Sequence, residues 1–110
     1  AVCDLSGIDN SKKHFFSKWN GKASITVSGD LYLDFMESSV TKGKAMHQLQ
    51  QYFGLSEDEC MAFGDNYNDI DMLKSVKYAY VMDTACEDIK KYAYDTTEWV
   101  EGTLRKEFNI

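Results

Sequence analysis

The run Cys60-Met61-Ala62-Phe63-Gly64-Asp65-Asn66-Tyr67-Asn68-Asp69-Ile70-Asp71-Met72-Leu73 passes abruptly from apolar residues into a cluster of acids and amides. Four apolar residues in a row read as a strand buried on both faces, the kind that parallel sheets contain. Gly64 turns the chain sharply without a Cβ penalty. The carboxylates therefore fall just past the carboxyl end of that strand, which is where open α/β sheets bind ligands.

Asp65 and Asp69 are four positions apart, with Asn68 between them and a helix predicted from about Asn68. If that turn is helical, both carboxylates face one side. Two acids and an amide so placed repel one another unless a cation or a lysine lies among them. Few, hard oxygen ligands suit Mg²⁺ better than a softer metal. The other reading is that Asp65 and Asn68 simply cap the helix, and taken alone the string serves either purpose. An EF-hand loop fits less well, because Tyr67 stands at its third position and Ile70 at its sixth, where Gly is required.

Upstream, Thr41-Lys42-Gly43-Lys44-Ala45-Met46-His47-Gln48-Leu49-Gln50-Gln51-Tyr52-Phe53-Gly54-Leu55-Ser56 opens on Lys-Gly and leaves its helix through Gly-Leu-Ser. An acidic turn, Glu57-Asp58-Glu59, leads into Ala62 through Asp69, followed by Met72-Leu73. In order and spacing these motifs resemble the haloacid dehalogenase superfamily of phosphatases, specifically its Cof-type sugar-phosphatase-like branch. Val81-Met82-Asp83-Thr84-Ala85-Cys86-Glu87-Asp88-Ile89-Lys90 is similar to a further family segment, although Asp83-Thr84 replaces its Gly-Asn. The resemblance covers residues 22–108.

That resemblance implies roles position by position. Lys42 corresponds to the phosphate-binding lysine, Asp65 to the acid that completes the Mg²⁺ shell, Asn68 to the amide that contacts phosphate, and Asp69 to the acid that orients lysine and metal. It implies a Mg²⁺-dependent phosphoric monoester hydrolase acting on a small phosphorylated metabolite, a sugar phosphate or similar. Phosphoryl transfer rests on positioning and charge neutralisation, which a Mg²⁺ and a lysine together supply. Lys42 also reads as a solvated lysine, but a cation is disfavoured at the positive end of a helix.

The family's Asp-x-Asp pair, nucleophile and general acid–base, is what this sequence is expected to lack. Cys3-Asp4-Leu5-Ser6-Gly7-Ile8 imitates it superficially, with Ser6 where the second acid belongs and Ile8 where Thr belongs. The same spot matches a cap-domain strand better, with Asp9-Asn10-Ser11 as the turn after it. The chain is expected to be a carboxyl-terminal fragment, inactive alone. Two alternatives stand beside the enzyme: a non-catalytic remnant that binds phosphate or Mg²⁺, and a structural piece whose acids are only caps.

Residues 2–8 and 23–28 are predicted strands, 10–19 a helix, and Ser28-Gly29-Asp30 the turn into a strand at 31–35. From Thr41 the period becomes helical, with Ala45, Leu49, Tyr52 and Phe53 inward and Gly54 as the stop. Ser56 with Glu59 has capping-box spacing. There follow strand 60–63, helix 68–75, strand 77–82, helix 86–92 and helix 98–108, an alternation that means α/β with a parallel sheet. The expected fold is part of a Rossmannoid sheet with helices (41–110) preceded by the tail of a small α/β cap (1–40), with the boundary at Glu37 to Val40. Tyr78, Tyr80, Tyr92, Tyr94 and Trp99 are expected in packing, and His14 and His47 on the surface.

A net charge of −6 over 110 residues argues against nucleic acid or an anionic membrane as partner. Three cysteines without a C-x-x-C suit a reducing cytoplasm, with Cys60 as an apolar filler. No apolar run approaches the length of a membrane span. A parallel strand at 60–63 without its neighbour would leave apolar sheet uncovered, so either a homodimer or an amino-terminal segment is expected to cover it.

Overall fold

A computed structural model describes residues 1–110. The chain divides into two compact units, Ala1–Val40 and Thr41–Ile110.

In the first unit, β1 (Val2–Cys3), β2 (Ser24–Gly29) and β3 (Tyr32–Met36) form an antiparallel sheet in the order β1-β3-β2. The β2–β3 hairpin carries a bulge between Val27 and Gly29. Helix α1 (Ile8–Trp19) follows β1, and the Phe15 ring meets Phe35 edge-on at 5.2 Å, while Ile8 and Leu33 are the unit's buried apolar side chains. The helix starts earlier than the Asn10 predicted, so Asp9-Asn10-Ser11 is helical and not a turn. Asp4 makes the turn instead. Its Oδ1 accepts from the Ser6 amide at 3.0 Å and the Ser6 hydroxyl at 2.6 Å, and its Oδ2 accepts from Ser11.

In the second unit, α2 (Lys42–Phe53) begins at Thr41, whose Oγ1 accepts from the Lys44 amide at 3.1 Å. It stops at Gly54, which has a left-handed φ of 66° that a glycine adopts without strain. Ser56 and Glu59 form the expected capping box around a single 3₁₀ turn. Then come β4 (Met61–Gly64), a 3₁₀ turn at Tyr67–Asp69, α3 (Ile70–Lys74), β5 (Tyr78–Met82), α4 (Glu87–Lys90), β6 (Asp95–Thr97) and α5 (Val100–Phe108). The sheet is parallel, in the order β4-β5-β6. The third strand is an addition to the sequence reading: Asp95-Thr96-Thr97 is short and polar, and it pairs with Tyr80, Val81 and Met82 of β5.

Burial on both faces belongs to β5, where Ala79, Tyr80 and Val81 are all buried. In β4 only Ala62 and Gly64 are buried, because β4 is the edge of the sheet and lacks a neighbour on one side. Phe63 stacks on Tyr80 at 5.3 Å, and Tyr94 meets both Tyr78 and Tyr80 edge-on. The core gathers Cys60, Ala62, Leu73, Val76, Ala79, Val81 and Ile89, with Met46 and Met72 packed against it.

The face of α2 is opposite to the one expected. Gly43 and Gln50 are buried and Met46 is half-buried, whereas Ala45 is exposed and Leu49, Tyr52 and Phe53 are 52%, 83% and 63% exposed. Gln50 donates from Nε2 to the Ser75 carbonyl at 2.7 Å, so a polar residue is satisfied inside while the apolar stripe faces outward. Periodicity locates a stripe on a helix; it does not say on which side the neighbouring elements lie.

Candidate functional site

The site is built where β4 ends. Gly64 is buried, and a Cβ there would lie 2.8 Å from the Cβ of Asp69, so the missing side chain is what lets the following turn fold back over the strand. Asn66 begins that turn, its Oδ1 accepting from the Tyr67 amide at 2.8 Å. One oxygen of Asp69, Oδ2, accepts from the Asp65 amide at 3.0 Å and the Asn66 amide at 3.1 Å. Capping is thus done by Asn66 and Asp69, not by Asp65 and Asn68 as the alternative reading had it. The signal was available in an Asn followed three positions later by an acid, a variant of the capping box.

The other oxygen of Asp69, Oδ1, accepts from the Lys42 ammonium. The Asp69 side chain is 4% exposed and that of Lys42 53% exposed. Burial pushes the Asp69 carboxyl upward, but the Lys42 hydrogen bond, the two backbone amides and the lysine's charge outweigh it and hold the group below the usual carboxylate range. Lys42 stands at the first position of α2, where the helix dipole opposes a cation, and Asp69 offsets that cost. An ammonium has three donors. With half its surface in solvent, Lys42 retains capacity for a second anionic partner.

Asp65 is exposed beside this pair, just beyond β4. Asn68 is half-buried, and its Oδ1 is buried without a hydrogen-bond partner. An orphaned amide oxygen of that kind calls for an explanation, and a missing donor or ion is one. The structure therefore brings Lys42, Asp65, Asn68 and Asp69 to one end of β4, with Lys42 and Asp69 in contact. No group of three or more His, Cys, Asp or Glu gathers to enclose a metal. Asp69-Ile70-Asp71 has the Asp-x-Asp spacing, but Asp69 ends the 3₁₀ turn and is held by Lys42, while Asp71 lies in the first turn of α3 with its Cβ against Gly43.

Tyr67, 57% exposed, is the neighbour that the sequence did not single out. Its hydroxyl meets Cys86, and the charges of Cys86 and then Asp88 push the phenol upward. This brings the start of α4 beside the β4 turn. Asp83 and Thr84 are exposed just past β5, and the Asp83 amide donates to the Thr97 carbonyl at 2.9 Å. His14 and His47 are exposed, as expected, and Cys60 is buried.

The sequence model of the haloacid dehalogenase-like hydrolases matches residues 2–102. A relative from Haemophilus influenzae is 44% identical over 70 residues, which make up 64% of this chain and 27% of that one. The HMP-PP phosphatase of Serratia proteamaculans (strain 568) is 40% identical over 79 residues, 72% of this chain and 27% of its own. Among solved structures, a Streptococcus mutans UA159 protein superposes with a TM-score of 0.78 at 29% identity, covering 93% of this chain and 42% of that one. A haloacid dehalogenase-like hydrolase from Bacteroides thetaiotaomicron has a TM-score of 0.77 at 24% identity, covering 90% and 39%, a likeness of fold. The chain thus spans less than half the length of each of these proteins.

Proposed function

The chain belongs to the haloacid dehalogenase-like hydrolase family, and on that premise we propose that it carries the phosphate- and Mg²⁺-handling part of a phosphoric monoester hydrolase for a small phosphorylated metabolite. The observation that supports this reading best is the Lys42 ammonium, anchored on buried Asp69 yet half open to solvent, beside the unpartnered oxygen of Asn68. In our reading Lys42 binds phosphoryl oxygens, Asn68 adds an amide contact, and Asp69 orients the lysine. Phosphate would be met by the Nδ2 donors of Asn68, since its buried Oδ1 can only accept.

Asp65 would hold Mg²⁺. Its hard, exposed carboxylate fits that ion, but as one position of a partial shell whose remainder is water and substrate oxygen. When bound, the metal supplies charge neutralisation to the phosphoryl group. The nucleophile is a separate requirement. Both oxygens of Asp4 are engaged by Ser6 and Ser11, and the resulting hydrogen bonds, Ser11 first, hold its carboxyl below the usual range. We assign nucleophile and general acid to residues outside these 110, and read Ala1–Val40 as cap and Thr41–Ile110 as core.

We also propose that the free edge of β4 and the apolar stripe of α2 are covered by another segment or a second copy, and that the protein works in the cytoplasm, where free Cys3, Cys60 and Cys86 persist. No helix is long and apolar enough to cross a membrane.

Titration with inorganic phosphate in the presence of Mg²⁺, followed by ³¹P NMR, tests the site. Lys42→Met should weaken binding about ten- to a hundredfold, in line with the roughly 1.5–3 kcal/mol of a charged hydrogen bond. Binding unchanged by Lys42→Met and by Asn68→Ala would falsify the assignment.

A further inference from the structure

We infer that Gly43 is a positioning residue: by lacking a Cβ it lets α2 lie against α3 closely enough for the Lys42 ammonium to reach Asp69. A Cβ built at Gly43 would stand 2.6 Å from the Cβ of Asp71, 2.9 Å from its backbone carbon and 3.0 Å from its carbonyl oxygen. Two of these three atoms are backbone of α3, which no side-chain rotation moves aside. Gly43 is buried, so the clash has no outlet to solvent.

The geometry makes this spacing act on Lys42 in particular. Seven positions along, two turns and the same helix face, Gln50 is tied to the Ser75 carbonyl at 2.7 Å, and Met46 between them packs on the core. That end of α2 is fixed. An added methyl at Gly43 must therefore lift the amino-terminal end, and Lys42 is the next residue. Asp69 cannot follow, since its other oxygen is held by the Asp65 and Asn66 amides and its Cβ lies over Gly64.

Backbone conformation does not explain the glycine. Gly43 is helical and is not among the residues with positive φ, so alanine is conformationally allowed there and is the better helix former. Helix propensity alone thus predicts that Gly43→Ala stabilises, and close packing predicts the reverse. The sign of the change decides.

The test uses the whole 110-residue chain. Urea unfolding of the parent, Lys42→Met, Asp69→Asn and the double variant gives the coupling between the two side chains, and the same cycle is repeated on Gly43→Ala. Gly43→Ala should shift the unfolding equilibrium about tenfold toward the unfolded state, and should abolish the coupling. Ala45→Gly, on an exposed position of the same helix, should lower stability and leave the coupling intact, which separates positioning from general weakening.

Phosphate binding is the arm that rests on the proposed function: Gly43→Ala should weaken it as much as Lys42→Met does, with no further loss when the two are combined. If the parent binds no phosphate, the functional reading fails while the coupling cycle still judges Gly43. If Gly43→Ala does not fold, adding Asp71→Gly, which removes the nearest obstructing atom, should recover folded protein and part of the coupling. Gly43→Ala as stable as the parent, or Gly43→Ala with the coupling retained, overturns the inference.

Discussion

Lys42 and Asp69, 27 positions apart in the chain, are joined by an ion pair in which the acid is buried and the lysine half exposed. The asymmetry determines what each substitution does. Lys42→Met leaves a buried carboxylate with only two backbone donors, whereas Asp69→Asn releases a lysine that water can solvate. Both should destabilise Thr41–Ile110 by about 1–3 kcal/mol, below the range for a fully buried pair because Lys42 is solvent-exposed.

Acid should unfold the chain in part through Asp69. Its folded carboxyl lies below its unfolded value, so its contribution is present above the unfolded value of about 4 and is lost as pH falls through the lower folded one. Unfolding midpoints in urea between pH 7 and pH 3 should fall more steeply for the parent than for Asp69→Asn. Parallel slopes for the two proteins would rule Asp69 out as a source of the acid sensitivity.

The 110 residues alone should not hydrolyse phosphate esters. On the proposal that the nucleophile lies outside these 110 residues, the reaction here lacks the covalent step that divides it in two, and binding by Lys42 and a metal would not replace it. The assay is p-nitrophenyl phosphate turnover with added Mg²⁺. Activity abolished by Asp4→Ala would show that the Asp4 turn opens to become the nucleophile.

Mg²⁺ should bind weakly, because Asp65 offers one carboxylate and no cluster of three acids completes the shell. Calorimetry should give an affinity no better than millimolar, about 4 kcal/mol. Micromolar binding that disappears in Asp65→Asn would mean that the chain assembles a full site unaided.

Self-association is expected through surface that other proteins keep covered. β4 is an unpaired edge, and Leu49, Tyr52 and Phe53 stand exposed on α2. Unpaired edges recruit strands, and contiguous apolar patches mark contact sites. Sedimentation equilibrium over a tenfold concentration range should show a dimer, weakened by Tyr52→Glu. A constant mass of one chain would refute it.

Much of the second unit was legible residue by residue. The Gly54 stop, the Ser56–Glu59 box and the turn of Gly64 into acids are all signals that act within four positions, where backbone geometry alone decides the partner. Family motifs picked out Lys42, Asp65, Asn68 and Asp69, and of these Lys42 and Asp69 are in contact. The start of α1 at Ile8 was not legible, because Asp4 forms the preceding turn through hydroxyls on Ser6 and Ser11 that no helix-cap pattern anticipates. Nor was β6, whose polar Asp95-Thr96-Thr97 becomes a strand only because β5 offers it an edge.

The sequence by itself determined the alternation of strand and helix, the helix stops and the cluster of acids at the end of β4. Tertiary structure alone decided that Gly43 and Gln50 face inward while Leu49, Tyr52 and Phe53 face out. The physical reason is one of range. Capping and turn formation are contests among neighbours in the chain, whereas burial and ion pairing depend on which distant element arrives at a given face, and at Gly43 that is settled by the room for a single methyl group.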